Sequence, residues 1–243
     1  MSPMLEAVAA AVAVLAGAIA AVAGFGIGSL LTPVLAVALD TKTAVAAVSV
    51  PHLTATALRL WRLRGDVDRD VLVGFGLASA VGGLAGALLH ARAESLSLRI
   101  TFGALLLLAA ASELTGLMRR VHLGRPAAAA AGALSGALGG LVGNQGGIRT
   151  AALLGFRVPP VAFVATATAV AIIVDLARMP VYLVVEGEAL RELARPIGLM
   201  CAGAVVGTLA GERLLRRVPE RLFRRMVAVL LAALGTWMLV AAR

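Results

Sequence analysis

Ten apolar segments, separated by short polar or charged stretches, make up almost the whole chain. They lie at residues 4–23, 27–39, 43–61, 70–90, 98–118, 126–142, 147–156, 159–185, 193–215 and 222–242. At about 1.5 Å per residue, a helix needs roughly 20 apolar residues to cross the hydrocarbon core of a membrane. Most segments approach this length, so the pattern predicts an all-α, polytopic integral membrane protein. Segments 27–39 and 147–156 are too short to cross, and we predict half-helices there.

A glycine-rich stretch precedes or opens each of the two short segments. Gly24 to Pro33 reads Gly-Phe-Gly-Ile-Gly-Ser-Leu-Leu-Thr-Pro, and Gly143 to Leu154 reads Gly-Asn-Gln-Gly-Gly-Ile-Arg-Thr-Ala-Ala-Leu-Leu. Glycine releases the backbone from helical geometry, and a broken helix inside lipid survives only where it is buried in protein or lines a wet cavity. Two breaks at matching places in two halves point to the binding site of a transporter.

The chain also repeats itself. Gly28 matches Gly147 at an offset of 119 residues, and Gly82 and Gly86 match Gly203 and Gly207 at an offset of 121. A slowly drifting offset is typical of a duplicated unit with small insertions. We therefore predict one membrane domain made of an N-terminal repeat, 1–120, and a C-terminal repeat, 121–243. Each repeat would contain a glycine-broken re-entrant hairpin followed by three transmembrane helices.

The placement of the arginines bears on the topology. If each half crosses the membrane four times, the loops at 59–69 and 213–225 lie on opposite faces and both faces collect similar numbers of arginines. If each glycine break instead turns the chain back, loops 59–69, 119–125 and 213–225 share one face with Arg157, which gives that face 14 basic residues. The second arrangement obeys the positive-inside rule and makes the repeats inverted. We prefer it, with the arginine-rich loops in the cytoplasm and both termini outside.

Composition narrows the class of function. Apolar residues make up 60% of the chain and charged residues only 14%, against about 25% in soluble domains. The net charge is +9, but the arginines lie mostly in short loops, where they set orientation in a membrane, so we predict no nucleic-acid partner. Metal-ligand spacing, a nucleophile elbow and a phosphate loop are all missing. We therefore predict no enzyme activity, no cofactor and no metal.

The first group of candidate site residues surrounds the two breaks. An uncapped helix N-terminus presents free N–H groups and a partial positive charge, which favour an anion. The arginine after the second break adds a planar fork suited to carboxylate, sulfonate or phosphate. The predicted substrate-binding residues are Asn144, Gln145, Gly146, Gly147, Arg149, Thr150, Gly26, Gly28, Ser29 and Thr32. The alternative for this stretch is a kink with tight packing, in which the arginine reaches a lipid headgroup.

The second group lies on the segment 159–185 and its counterpart in the first half. Asp175, Arg178 and Tyr182 follow one another at i, i+3 and i+7, so one helix face presents all three. Ionisable residues at membrane depth are costly and mark functional sites. The predicted gating or coupling residues are Asp175, Arg178, Tyr182, His52 and Thr168. The alternatives are a structural ion pair, a packed neutral histidine, and a threonine bonded to its own helix.

The two glycine-rich breaks, the duplication and the Gly65-Asp-Val-Asp stretch together resemble the sulfite exporter TauE/SafE family, also called the 4-toluene sulfonate uptake permease family. The resemblance covers residues 5 to 242. It implies a bacterial inner-membrane permease for small organosulfur anions such as sulfite, sulfonates or sulfoacetate, in either direction. Many members have more glycine in the first break, where this chain has Phe25 and Ile27.

We therefore expect a multi-pass secondary transporter of a small organosulfur anion, driven by an ion gradient and embedded in the bacterial inner membrane. Its partners would be the anionic substrate and the lipid bilayer, and the formation of a homodimer is possible. The alternatives are a cation or neutral-solute carrier that uses Asp175, and a non-transporting membrane scaffold. An intramembrane enzyme would need a nucleophile and base pair that the sequence does not offer.

Overall fold

A computed structural model of the chain describes residues 1–116, 125–144, 146, 149, 153, 156, 158–215 and 219–241. Nearly all of these residues are helical, and the described part of the chain contains no β-strand, so the predicted all-α class is confirmed. The helices are α1 (Pro3–Ala23), α2 (Ile27–Leu35), α3 (Thr41–Leu63), α4 (Arg69–Arg92), α5 (Ser95–Thr115), α6 (Arg125–Val142), α7 (Pro160–Glu192), α8 (Ala194–Leu215) and α9 (Glu220–Val240).

Most of these helices are long and apolar enough to cross a membrane. Among the described residues, α1, α4, α5, α7, α8 and α9 contain such a stretch. Helix α2 has nine residues, which is about 14 Å and too short to cross. Helix α1 has 21 residues and is long enough to cross by its own length, so the re-entrant hairpin formed by α1 and α2 stays a prediction.

Two helices are longer than the apolar pattern indicates. Arg59 was assigned to a charged loop, but α3 continues through it to Leu63. The apolar segment predicted at 159–185 ends before the helix does, since α7 continues through Pro180 and Glu186 to Glu192, over 33 residues in all. In both cases the helix continues beyond the apolar segment, because the polar side chains there find partners. Glu186, for example, accepts a hydrogen bond of 2.7 Å from the Thr43 hydroxyl.

The helices pack in pairs that correspond between the two halves. Helix α1 packs along α8, and α6 packs along α4. Helices α5 and α9 pack on each other, as do α3 and α7, while α3 also contacts α8 and α7 also contacts α4. Exchanging the halves leaves this set of pairings unchanged, which is compatible with two repeats of one unit. Their inverted orientation stays a prediction.

Glycines bring the paired helices into backbone contact. A Cβ atom added to Gly207 of α8 would lie 2.0 Å from the carbonyl oxygen of Val14 in α1. A Cβ atom added to Gly82 of α4 would lie 2.0 Å from the carbonyl oxygen of Ala133 in α6. Small residues let transmembrane helices approach this closely. The faces of α8 and α4 that carry these glycines are therefore packing surfaces.

Helices α3 and α8 run in the same direction. The Thr54 hydroxyl contacts the Cys201 thiol at 3.7 Å, and further along both helices Arg59 and Thr208 line one cleft. The C-terminal ends of α3 and α8 therefore lie at the same end of the bundle, as in the arrangement with two hairpins. The face of the membrane to which this end belongs stays a prediction.

We expect Gly207→Ala to lower the free energy of unfolding by about 1–3 kcal/mol, since the added methyl group has to push α1 away. Gly198 in the same helix is the matched control, because a Cβ atom there meets nothing within 4 Å. Gly198→Ala should leave stability unchanged or raise it by up to about 1 kcal/mol through helix propensity. The measurement is unfolding in mixed detergent micelles, and equal effects of the two substitutions would contradict the packing role.

Candidate functional site

The two glycine breaks have the same backbone geometry. Gly24 ends α1 with a φ of 76°, and its N–H donates to the carbonyl of Ala20 at 3.0 Å. Gly143 ends α6 with a φ of 75°, and its N–H donates to the carbonyl of Gly139 at 2.9 Å. This left-handed conformation favours glycine and is a common way to end a helix. Both helices therefore stop inside the protein, at equivalent places in the two halves.

The breaks lie against each other. A Cβ atom added to Gly28 would lie 2.6 Å from the carbonyl oxygen of Gly143. One added to Gly146 would lie 2.3 Å from the Cβ of Phe25. The close approach requires glycine at both positions. Residues that are more than a hundred positions apart in the sequence thus form one contact region between the halves.

Arg149 extends from the second break to the first. Its Nη2 donates to the carbonyl oxygen of Gly24 at 3.1 Å, and only 2% of the residue is exposed. Its Nε and Nη1 are buried and have no partner among the described residues. A buried charged donor without an acceptor is costly, by more than the 1–3 kcal/mol of a neutral group. Arg149 therefore offers unused N–H groups to an incoming acceptor.

The predicted face of α7 is buried and connects three helices. One carboxylate oxygen of Asp175 lies 2.7 Å from Nη2 of Arg178, and the other accepts a hydrogen bond of 2.6 Å from Nδ1 of His52 in α3. Nη1 of Arg178 donates to the carbonyl of Gly139 at 2.6 Å, in the last turn of α6 before the break. The hydroxyl of Tyr182 donates to the next carbonyl, that of Gly140. This cluster therefore holds the end of α6 in place.

Arg59 is a site residue that the sequence analysis missed. It is not in a loop: its Nη1 donates to the carbonyl of Ala20, in the last turn of α1 before the first break. Arg178 has the same relation to Gly139, and both the arginines and the carbonyls are 119 positions apart. This is the offset of Gly28 and Gly147, so applying the repeat to Arg178 would have found Arg59.

His90 in α4 was also missed. Its Nδ1 donates to the carbonyl oxygen of Leu141 at 2.8 Å, and its ring packs on Tyr182 with the ring centroids 4.7 Å apart. No sequence signal marks it, since it is the last residue of the apolar segment 70–90. It supports the Tyr182 side of the cluster.

Positive charge exceeds negative charge in this region. The positive charges of Arg59 and Arg149 repel each other, and the carboxylate of Asp175 attracts Arg149. Asp175 thus attracts both Arg149 and Arg178, whereas no carboxylate pairs with Arg59 among the described residues. Removing ions from water is expensive unless they are paired. An anion that enters this region would lower that cost.

The remaining predicted residues are placed only in part. Gly26 is the N-cap of α2, with a φ of 135° and no side-chain cap, so the start of α2 keeps uncapped N–H groups. Ser29 and Thr32 are buried in α2, and the Thr32 hydroxyl has no described partner. Asn144 follows Gly143 and is partly buried. Gln145, Gly147 and Thr150 lie outside the described residues, as does most of the half-helix predicted at 147–156.

Thr168 shows the behaviour that was given as the alternative. Its hydroxyl donates to the carbonyl of Val164 in its own helix at 2.7 Å, and 1% of the residue is exposed. A back-bonded hydroxyl has already used its donor. The described contacts of Thr168 therefore do not connect it to the Asp175 cluster.

The described helices have the length and apolar character of membrane spans. Two interrupted helices meet between the halves, and charged side chains are buried at that contact. These features define a polytopic membrane protein of the transporter class. The model of the family described as "Sulfite exporter TauE/SafE" matches residues 9–238. The chain belongs to this family, whose members are membrane transporters and not enzymes. The curated proteins and the solved structures gave no match.

Proposed function

We propose that the chain is a secondary transporter of small organosulfur anions, such as sulfite or sulfonates, driven by an ion gradient. The observation that carries this proposal is Arg149, buried where the two breaks meet, with Nε and Nη1 unpartnered. Sulfite and sulfonate groups present several oxygen acceptors around one centre, and a guanidinium fork can bind two of them at once. The anion would take up the donors that the protein leaves unused.

The start of α2 supplies a second contribution to the same site. Gly26 provides no side-chain cap, so the first N–H groups of α2 lack a side-chain acceptor and could donate to a bound ligand. The partial positive charge of this helix end favours an anion. Ser29 and Thr32 would add hydroxyl donors, and Asn144, Gln145, Gly147 and Thr150 would complete the site from the other half.

The surroundings of Asp175 favour an anion over a cation as the substrate. A cation carrier would need this carboxylate to be available, but its two oxygens already face Arg178 and His52. A cation would have to displace them and would then lie near Arg149 as well. A sulfur oxyanion has the opposite charge and meets no such repulsion.

His52 and Asp175 are the proposed coupling pair. Histidine is the side chain that most often exchanges a proton near physiological pH, and Nδ1 of His52 lies 2.6 Å from a carboxylate oxygen of Asp175. Proton uptake at this pair would change the balance between Asp175 and Arg178, whose guanidinium also holds the end of α6. The charge state of one pair would thus act on the geometry of the second break.

Alternating access would follow from rocking of one repeat, 1–120, against the other, 121–243, around the contact between the breaks. The proposed location is the bacterial inner membrane, with the arginine-rich end of the bundle in the cytoplasm, and a homodimer is compatible with this arrangement. A membrane scaffold would need no substrate site and would not explain unpartnered donors on a buried arginine.

We expect Arg149→Ala to lower sulfite uptake into proteoliposomes by at least about tenfold, since a hydrogen bond to a charged group is worth about 1.5–3 kcal/mol. Arg149→Lys should keep part of the activity, because it retains the charge without the fork. Arg195→Ala is the matched control, as 81% of that side chain is exposed.

Elution as a single species and an unchanged melting temperature would show that each variant is folded. Full uptake by a folded Arg149→Ala variant would remove this residue from the site. No uptake of sulfite or sulfonate by the wild type would remove the proposed function.

For the coupling pair, we expect His52→Gln to abolish the stimulation of uptake by a pH gradient while sulfite-for-sulfite exchange continues. Glutamine still donates a hydrogen bond to Asp175 but does not take up a proton. The measurement compares net uptake with and without the gradient. Gradient stimulation equal to that of the wild type would place the coupling group elsewhere.

A further inference from the structure

A cleft of about 430 Å³ opens beside Arg59, between the ends of α1 and α3 and the start of α7. Its lining residues are Ala21, Arg59, Arg62, Leu63, Val161, Val164 and Thr208. Two of these are arginines and most of the others are apolar. The volume falls in the range of about 300–1,000 Å³ that is typical of sites for small organic molecules and exceeds what a bare oxyanion needs. The lining suits a charged head with an apolar tail.

Arg59 lines this cleft and has one nitrogen without a described partner. Its Nη1 is used by the carbonyl of Ala20, but its buried Nε has no partner among the described residues. No carboxylate pairs with it in the described part of the chain, and the neighbouring charge of Arg149 is repulsive. The end of the cleft at Arg59 therefore carries uncompensated positive charge.

The repeat explains what is missing there. Arg178 holds Gly139 as Arg59 holds Ala20, but Arg178 also has Asp175 one turn earlier, at 2.7 Å. The position that corresponds to Asp175, at the same offset of 119 residues, is Thr56. Thr56 is buried, with 2% exposed, and lies three residues before Arg59, so both are on one face of α3. The first half thus has the arginine without its carboxylate.

We propose that the cleft is a second binding site, distinct from the contacts of Arg149, for an oxyanion that carries a short apolar tail. The anionic head takes the place of the missing carboxylate and pairs with Arg59, and the tail lies against Leu63, Val161 and Val164. As a site for a sulfonate on its way to Arg149, it rests on the proposed function. A lipid headgroup offers the same chemistry, and the experiment separates the two sources.

The test supplies the missing carboxylate. Thr56→Asp recreates the spacing of Asp175 and Arg178, so the new side chain should pair with Arg59 and exclude the ligand. Thr56→Asn is the matched control, with a similar shape and no charge. We expect Thr56→Asp to weaken butanesulfonate binding at least about tenfold, as for the loss of a charged partner, and Thr56→Asn to change it less than about threefold. The measurement is isothermal titration of the purified full chain in detergent.

A second variant covers the case in which Thr56→Asp fails to fold. Val161 is 55% exposed and lines the cleft, so Val161→Trp fills space without entering the core. It should weaken butanesulfonate binding while uptake of sulfite, which has no apolar tail to lie in the cleft, stays near the wild-type rate. Binding of butanesulfonate by Val161→Trp and by any folded Thr56→Asp at wild-type affinity would overturn the second site.

The lipid arm uses nanodiscs that contain phosphatidylglycerol, followed by native mass spectrometry. Phosphatidylglycerol retained by Thr56→Asn and lost from Thr56→Asp, without butanesulfonate binding, identifies a lipid phosphate as the occupant. Retention of neither ligand by the wild type overturns the proposal. Wild-type sulfite uptake is measured separately, so failure of the cleft leaves the proposed function standing, and absence of that uptake defeats the proposed function.

Discussion

A guanidinium group buried among membrane helices needs oxygen acceptors that water does not supply. This fold provides them in the last turns of interrupted helices, where a carbonyl that already accepts from the N–H of the terminating glycine keeps a second lone pair and shares the partial negative charge of the helix end. Arg59 uses the end of α1 through Ala20, and Arg178 uses the end of α6 through Gly139. The glycine breaks place these helix ends, with their partial negative charge, where the two arginines reach them.

The two halves use this interaction with one difference. Arg178 is balanced by Asp175, whereas the first half has Thr56 at the corresponding position. Arg149 then crosses from the second break to the first and adds another positive charge beside Arg59. The interior is consequently positive in a region where the halves touch. Under the proposed function, an anion bound there would offset this excess charge and so change the forces between the two halves.

Much of this arrangement could be predicted from the sequence. Glycine clusters in an apolar chain gave the breaks, and the spacing of Asp175, Arg178 and Tyr182 gave the buried face of α7. Arg59 was not predicted because an arginine at the end of an apolar segment looks like the start of a loop. Its position within the bundle depends on a carbonyl partner from α1, which the sequence does not show. The Thr168 hydroxyl bonds to its own helix, an alternative that stayed open because sequence does not show where a hydroxyl donates. Close packing of α1 on α8 and of α4 on α6 was not predicted, because the matching glycines at 82, 86, 203 and 207 show where a close approach is possible but not which helix makes it.

The most direct measurement is a structure of the protein with selenite, a sulfite analogue whose selenium can be located by anomalous scattering. Binding between the halves predicts a selenium peak within about 4 Å of the Arg149 guanidinium, a distance that allows hydrogen bonds from its unpartnered nitrogens to the selenite oxygens. A peak confined to the protein surface, or a fully occupied peak far from the contact between the two glycine breaks, would contradict an anion site at that contact.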